Sequence, residues 1–314
     1  MKTIRGWRNL QPEDRGACLA FGAFDGVHRG HRHVIEAATA AAHKLHAPPI
    51  APLGAVAFEP HPWRWFHPED PPFLLTSPAQ QAREFEALGV QRLYILPFDD
   101  HMAGLSAEAF AEEVLADGLG VRHIVVGFDA TFGRGRTGDA EMLKHLGKLH
   151  GFGVTVVAPV ADHSGFKLSS TAARRALQTG DPKAAADILG RPFAIEGVVR
   201  EGRKLGRTLG FPTVNIELDE YVRPRLGIYA TRTRLPDGRI LDGVASIGVN
   251  PTVGLVEARL EVFLFDFDED LYGQIVETEL IDFLRPEHKF VNVEELIAQM
   301  KDDVEKARRI LQSR

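Results

Sequence analysis

Residues 22–31 read Gly-Ala-Phe-Asp-Gly-Val-His-Arg-Gly-His. The run follows an apolar, strand-like stretch, Ala17 to Phe21, and precedes an alanine-rich, helix-prone stretch, His31 to Leu45. A strand, a Gly-rich turn and a helix start is how a parallel α/β sheet presents backbone N–H groups to a phosphate. His28 and His31, three residues apart, fall on one face of the first helical turn. Attack on the α-phosphorus of a nucleoside triphosphate builds negative charge on equatorial oxygens. Imidazole N–H groups and helix dipoles meet that charge without a covalent protein intermediate. An isolated His-x-x-His would more simply begin a surface helix, but its place after Phe-Asp-Gly, between strand and helix, favours the phosphate chemistry. Asp25 also has a plain role, because Asp-Gly is a turn dipeptide.

Leu168-Ser-Ser-Thr-Ala-Ala-Arg174 is a second component. Ser and Thr are good helix N-caps. Arg174, four residues after Ser170, can share its face and hold pyrophosphate oxygens through a planar fork. Alone this is a capped helix with a surface Arg; the histidine loop gives it weight.

A third constellation is Gly202-Arg-Lys-Leu-Gly206-Arg207-Thr-Leu-Gly210-Phe-Pro212-Thr213-Val-Asn215. Its glycines allow close backbone approach to a ligand, and Arg203, Lys204 and Arg207 can offset phosphate charge. Thr213 and Asn215 alternate by two, so on a strand they share a face, and their oxygens suit a Mg²⁺ shared with phosphates. Glu261 lies in Arg-Leu-Glu-Val-Phe-Leu-Phe, where neither alternating face is polar. Such a carboxylate either faces solvent or accepts a hydroxyl proton as general base; the chemistry alone leaves both open.

The elements that must position these residues change character along the chain. In the first half, strand candidates Ala17–Gly22, Leu53–Phe58, Arg92–Leu96, His123–Gly127 and Val154–Ala158 alternate with helix candidates His31–Leu45, Pro78–Leu88, Ala107–Leu119 and Ala140–His150. That alternation predicts a doubly wound parallel sheet, with the loops 22–31, 58–76 and 127–138 along one cleft. Short helices over Ser170–Gln178 and Pro182–Leu189 follow. Then come strands over Phe193–Arg200, Ile228–Arg234, Arg239–Ile247, Arg259–Asp268 and Ile275–Phe283, and a closing helix over Val293–Leu311. Strands in succession predict an antiparallel sheet or barrel. The expected domains are 1–185 and 186–314.

With 314 residues the chain has length for two domains. A formal net charge of −6 argues against a protein that coats nucleic acid. The lone Cys18 excludes an internal disulfide and a multi-cysteine zinc site, and reads as a small core residue. No apolar stretch is long enough to span a membrane, and residues 1–16 lack the apolar middle of a secretory signal. The expected compartment is the cytoplasm. Nothing in the charge pattern indicates a partner surface or an oligomeric state.

In order along the chain, Gly-x-Phe-Asp-Gly-Val-His-x-Gly-His, Phe-Glu-Pro-His-Pro at 58–62, Val-Gly-x-Asp-x-x-Phe-Gly at 126–133 and Ser-Ser-Thr-x-x-Arg at 169–174 resemble the bacterial bifunctional riboflavin kinase/FMN adenylyltransferases, also called FAD synthetases. The resemblance continues through the 202–215 run, Gly227-Ile-Tyr-Ala, Ile247-Gly-x-Asn-Pro-Thr, Glu261, Asp270-Leu-Tyr-Gly and Leu284-Arg-x-Glu-x-Lys-Phe290. It implies an N-terminal nucleotidyltransferase domain and a six-stranded antiparallel barrel with a C-terminal helix. It implies ATP, riboflavin and FMN as substrates and Mg²⁺ as cofactor, with His28 and His31 stabilising adenylyl transfer. Gly22, Phe24, Asp25, Asp129, Ser170, Thr171 and Arg174 would bind that nucleotide. In the barrel, Glu261 would be the base and Thr213 and Asn215 would serve the metal–nucleotide site. Gly202, Gly206, Arg207, Gly210, Pro212 and Arg285 would line the nucleotide or flavin site. Ala130, Ala173 and Val253 depart from the family pattern, where bulkier residues are usual. Two alternatives follow: a kinase with a weakened adenylyltransferase half, and a non-catalytic flavin or nucleotide sensor.

Overall fold

The computed structural model describes residues 1–45, 51–161, 167–202, 209–252 and 255–312. They pack as two compact units, Met1–Asp70 with Pro78–Leu168, and Pro71–Ser77 with Ser169–Arg314.

The first unit runs β1 (Lys2–Arg5), β2 (Cys18–Ala20), α1 (Arg29–Lys44), β3 (Leu53–Glu59), α2 (Pro62–Phe66), α3 (Pro78–Ala87), β4 (Arg92–Pro97), α4 (Asp100–Gly104), α5 (Ala107–Ala109, continuing as a wider π-type coil over Phe110–Gly118), β5 (His123–Gly127), α6 (Ala140–His150) and β6 (Gly153–Val157). Its six strands are ordered β1-β4-β3-β2-β5-β6 and every pairing is parallel. Successive side chains of the central strands enter opposite cores. Leu19, Val56, Ile124 and Val126 pack on one side, and Cys18, Ala20, Ala55 and Val125 on the other. This is the doubly wound sheet expected from strands apolar on both faces. From β2 the chain winds first toward β3 and β4, then returns to β5 on the other side. The carboxyl end of β2 is therefore a switch point, where a parallel sheet opens a crevice.

β1, α2 and α4 carry no periodic signal in the sequence. β1 is a four-residue edge strand that buries only Ile4, too short for a periodic signal. α2 and α4 are single turns set by local caps: His61 accepts from the Trp63 N–H, and Asp99 from the Met102 N–H.

The second unit holds α7 (Ser170–Thr179), α8 (Pro182–Leu189), β7 (Phe193–Val198), β8 (Thr213–Glu217), β9 (Gly227–Arg234), β10 (Ile240–Thr252), β11 (Leu255–Leu264), β12 (Ile275–Arg285) and α9 (Val293–Gln312). The strands form an antiparallel sheet ordered β7-β12-β9-β10-β11-β8. A bridge between Arg200 and Asn215 links the end of β7 to β8, joining the two edges. Leu260, Val262 and Leu264 of β11 point into the barrel core, whereas Phe265 meets Ala307 and Leu311 of α9 on the outer face. Arg285 fixes that helix through Nε and Nη2 to the buried Asp303, at 2.9 and 2.7 Å.

Packing divides the chain at 168/169, ahead of residue 185, because Ala173, Leu177, Ala185 and Leu189 all enter the core of the second unit. Within the loop 58–76, Pro71–Ser77 packs with the second unit. There Leu74 forms a parallel bridge with Tyr221: its N–H donates to the Glu220 carbonyl and its carbonyl accepts the Val222 N–H, both at 2.8 Å, and Leu75 is buried.

Candidate active sites

The loop after β2 is held from both ends. The Phe21 N–H donates to the Val125 carbonyl at 3.0 Å, and the Val27 N–H closes a turn on the Phe24 carbonyl at 3.0 Å. Phe24, Gly26 and Val27 have φ of 54°, 83° and 40°. Positive φ is strained for a β-branched residue, and Val27 is held there in complete burial. Helix α3 buttresses the loop: Gln81 Nε2 donates to the Ala23 carbonyl at 3.3 Å, and Phe85 meets Phe24 edge-on at 5.5 Å. Phe24, 1% exposed, is thus a buried support, and its ring carries His31 edge-on at 5.1 Å.

His28 is the N-cap of α1, and its Nδ1 accepts the His31 N–H at 3.3 Å. That bond assigns the proton of neutral His28 to Nε2. The two imidazoles stack with centroids 3.6 Å apart. Gly30 makes this possible. A β carbon there would stand 3.0 Å from His28 Cε1 and 3.1 Å from Nδ1, and 3.5 Å from the Leu168 carbonyl oxygen. Asp25 is buried beside the same turn, and Gly22 packs on the Phe24 ring. β2 pairs with β5, so Asp129, just past β5, leaves the same sheet edge as His28. Asp129 is ion-paired with Lys167, whose ammonium lies 4.9 Å from the Phe128 ring centre.

Three features of this unit escape sequence reasoning. The first is Gly30, whose glycine is visible but whose neighbour is not. The second is an aromatic wall, in which Phe58, Trp65 and Phe66 surround Phe98 at 5.7, 6.4 and 5.7 Å. The third is Arg64, whose Nη1 donates to the Pro68 and Asp70 carbonyls at 3.1 and 2.6 Å and so folds the 62–70 segment on itself.

In the second unit Ser169 caps α7 by accepting the Ala172 N–H, and Ser170 and Thr171 form the first turn. Arg174 Nε donates to the Phe73 carbonyl at 2.7 Å, and its guanidinium lies 5.3 Å from the Phe73 ring centre. Ala173 is fully buried beside Leu177, which explains the small residue. Val253, Gly206 and Arg207 lie outside the described residues.

The barrel brings the kinase-type candidates into one register row. Glu261 of β11 is directly opposite Asn215 of β8 on one side and Ser246 of β10 on the other. Residues opposed this way share a face, with β carbons about 4.5–5.5 Å apart. Leu260 and Val262 point inward, so the row lies on the outer face of the barrel. Thr213 is opposite Phe263 and belongs to the same face. Asn215 is 6% exposed, and its Nδ2 donates toward the Thr213 carbonyl at 3.5 Å. Gly202 lies against it: a β carbon there would stand 2.6 Å from both Cγ and Oδ1 of Asn215. Gly210 (φ 84°) turns the chain before the exposed Pro212 and strand β8. The row continues from Ser246 through Ile228 to Arg285, but the Arg285 guanidinium is engaged with Asp303 and the Pro286 carbonyl. Ser246 was not singled out in the sequence, because only strand register reveals its place.

Residues 10–172 match the family model for FAD synthetase, and residues 189–311 that for riboflavin kinase. The chain is 41% identical to a bifunctional riboflavin kinase/FMN adenylyltransferase of Pseudomonas fluorescens, covering 98% of this chain and 97% of that one. It is 38% identical to the protein of the same name from Escherichia coli strain K12, over 96% of each chain. A solved structure described as a macrolide-efflux protein from Streptococcus pneumoniae is 33% identical, with a TM-score of 0.86 over 98% of each chain. Matches in both halves, together with full-length relatives, show that this chain belongs to the bifunctional riboflavin kinase/FMN adenylyltransferase family.

Proposed function

We propose that the chain makes FAD in two ATP-dependent steps: phosphorylation of riboflavin at the outer face of the barrel, then adenylylation of FMN at the switch point of the parallel sheet. The observation that carries this is the presence of two chemically distinct sites in two compact units. One is a helix N-terminus capped by stacked histidines, and the other a carboxylate row beside an amide and a hydroxyl.

In the barrel, Glu261 accepts the proton of the ribityl 5′-hydroxyl as its oxygen attacks the γ-phosphorus. The bond to the β–γ bridging oxygen breaks and ADP leaves. Thr213 and Asn215 fit a Mg²⁺: both offer oxygen, and the buried Asn215 amide is oriented by the Gly202 cradle. When bound, that ion neutralises charge on the β- and γ-phosphates. Gly202, Gly206, Arg207, Gly210, Pro212 and Arg285 belong to the nucleotide or flavin surroundings of this site.

In the parallel sheet, an FMN phosphate oxygen attacks the α-phosphorus and the α–β bridging bond breaks to release pyrophosphate. His28 Nε2–H, His31 and the first N–H groups of α1 meet the charge that builds in the transition state. Asp129 positions the nucleotide, and Ser170, Thr171 and Arg174 hold its phosphates. Motif order supports these assignments. The exposed rings of Trp63 and Phe66 and the edge-to-face cluster around Phe98 offer apolar surface for the isoalloxazine. By sequence motif the two catalytic modules are 1–185 and 186–314, although α7 and α8 pack with the second unit, and the reading puts the enzyme in the cytoplasm. Among the described residues, no helix is long and apolar enough to cross a membrane.

Chromatography of products from riboflavin and Mg·ATP tests the proposal. FMN followed by FAD is the expected result; FMN alone, or unchanged riboflavin, refutes the two-step reading.

A further inference from the structure

The outer face of the barrel carries a second carboxylate that the base does not account for. Gly248 is two residues beyond Ser246 on β10 and faces Arg259 of β11, so it occupies the register row next to Glu261 on the same side of the sheet. Over Gly248 sits the side chain of Glu287, which returns from just beyond the end of β12. A β carbon on Gly248 would overlap Glu287 Oε1 and stand 3.4 Å from its Cδ. The bare Cα of this glycine is what lets the carboxylate lie on the strand. Among the described residues none donates a hydrogen bond to it. Partial burial and the nearby Glu261 push its carboxyl above the usual range, against the pull of Arg285.

A carboxylate kept close to a second carboxylate, with no donor among the described residues, is costly in the free enzyme. An incoming hydroxyl relieves that cost. The substrate assigned to this site brings several: behind the 5′-hydroxyl that reaches the base, the ribityl chain carries three secondary hydroxyls. We infer that Glu287, seated on Gly248, accepts a hydrogen bond from a secondary hydroxyl of the ribityl chain, and so sets the register that delivers the 5′-hydroxyl to Glu261. Glu287 is then the residue by which the kinase site requires a polyol side chain. The inference rests on the assignment of riboflavin phosphorylation to this face.

The test compares the full-length wild type with Glu287→Ala, Glu287→Gln and Gly248→Ala. Each is assayed for phosphorylation of riboflavin and of 2′-, 3′- and 4′-deoxyriboflavin. The wild type should prefer riboflavin over one of the three analogues by about 10- to 100-fold in kcat/KM. Glu287→Ala should lose a comparable factor on riboflavin and no longer distinguish it from that analogue. Gly248→Ala should blunt the same preference by displacing the carboxylate. Glu287→Gln, which keeps an acceptor oxygen, should retain part of the preference; if Glu287→Ala fails to fold, Glu287→Met, close in length and without an acceptor oxygen, carries the comparison. A Glu287→Ala or Glu287→Met variant that keeps the wild-type preference against all three analogues overturns the role of Glu287 and leaves the kinase assignment standing. A wild type that phosphorylates none of the four compounds refutes the kinase assignment itself.

Discussion

Gly202 lies directly against the side chain of Asn215, so close that a methyl group at 202 would stand 2.6 Å from the amide oxygen. Asn215 is in turn the cross-strand neighbour of Glu261. The glycine therefore sets where an oxygen ligand sits beside the base. Gly202→Ala should push the amide aside by about 1 Å and lower riboflavin phosphorylation by about 100-fold. Formation of FAD from supplied FMN should stay near the wild-type rate. Steady-state assays of each reaction separately check this.

Gly30 plays the same part for His28. Gly30→Ala would put a methyl group 3.0 Å from the imidazole, and His28, capping α1 and 6% exposed, has little room to move. FAD formation should fall by about 100-fold while FMN formation from riboflavin is unchanged. An adenylyltransferase rate within twofold of wild type would contradict the stacked arrangement.

The cap and the chemistry of His28 can be separated. Asn is as good an N-cap as any residue, whereas Ala costs about 1 kcal/mol at that position. His28→Asn should keep the melting temperature of the wild type and still abolish FAD formation, because the Nε2 donor is gone. His28→Ala should lose both activity and stability. Calorimetry alongside the product assay distinguishes the two variants.

Much of this was legible in the sequence. The strand His123–Gly127 announces itself as a Val-rich run buried on both sides, whereas Gly153–Val157, equally Val-rich, is the half-buried edge of the sheet, and helices such as Ala140–His150 begin and end at an Asp cap and a glycine. What stayed hidden depends on three-dimensional neighbours. A glycine shows in the sequence, but not that Gly30 meets His28, Gly202 meets Asn215 or Gly248 meets Glu287. Glu261 shows as a charge in an apolar strand, but its opposition to Asn215 and Ser246 needs strand register, which a one-residue slip would reverse. The 71–77 segment carries no signal that it leaves its own unit to pair with Tyr221, because Leu74 and Leu75 look like any loop leucines.

Arg285 shows how structure reassigns emphasis. Its guanidinium is committed to Asp303, 3% exposed and also bonded by Gln299 Nε2 at 3.0 Å. Breaking a buried pair leaves an unmatched charge, a loss of about 3–5 kcal/mol. Asp303→Ala and Arg285→Ala should each lower the urea midpoint of the barrel transition by a similar amount, and the double variant by little more than either. Additive losses would show that the two residues do not act as a pair.

The central claim is that one chain holds two independent active sites, and Glu261→Gln tests it most directly. Supplied with riboflavin and Mg·ATP, the variant should form no FMN; supplied with FMN and Mg·ATP, it should form FAD at the wild-type rate. Loss of both activities, or FMN formation at the wild-type rate, would contradict the claim.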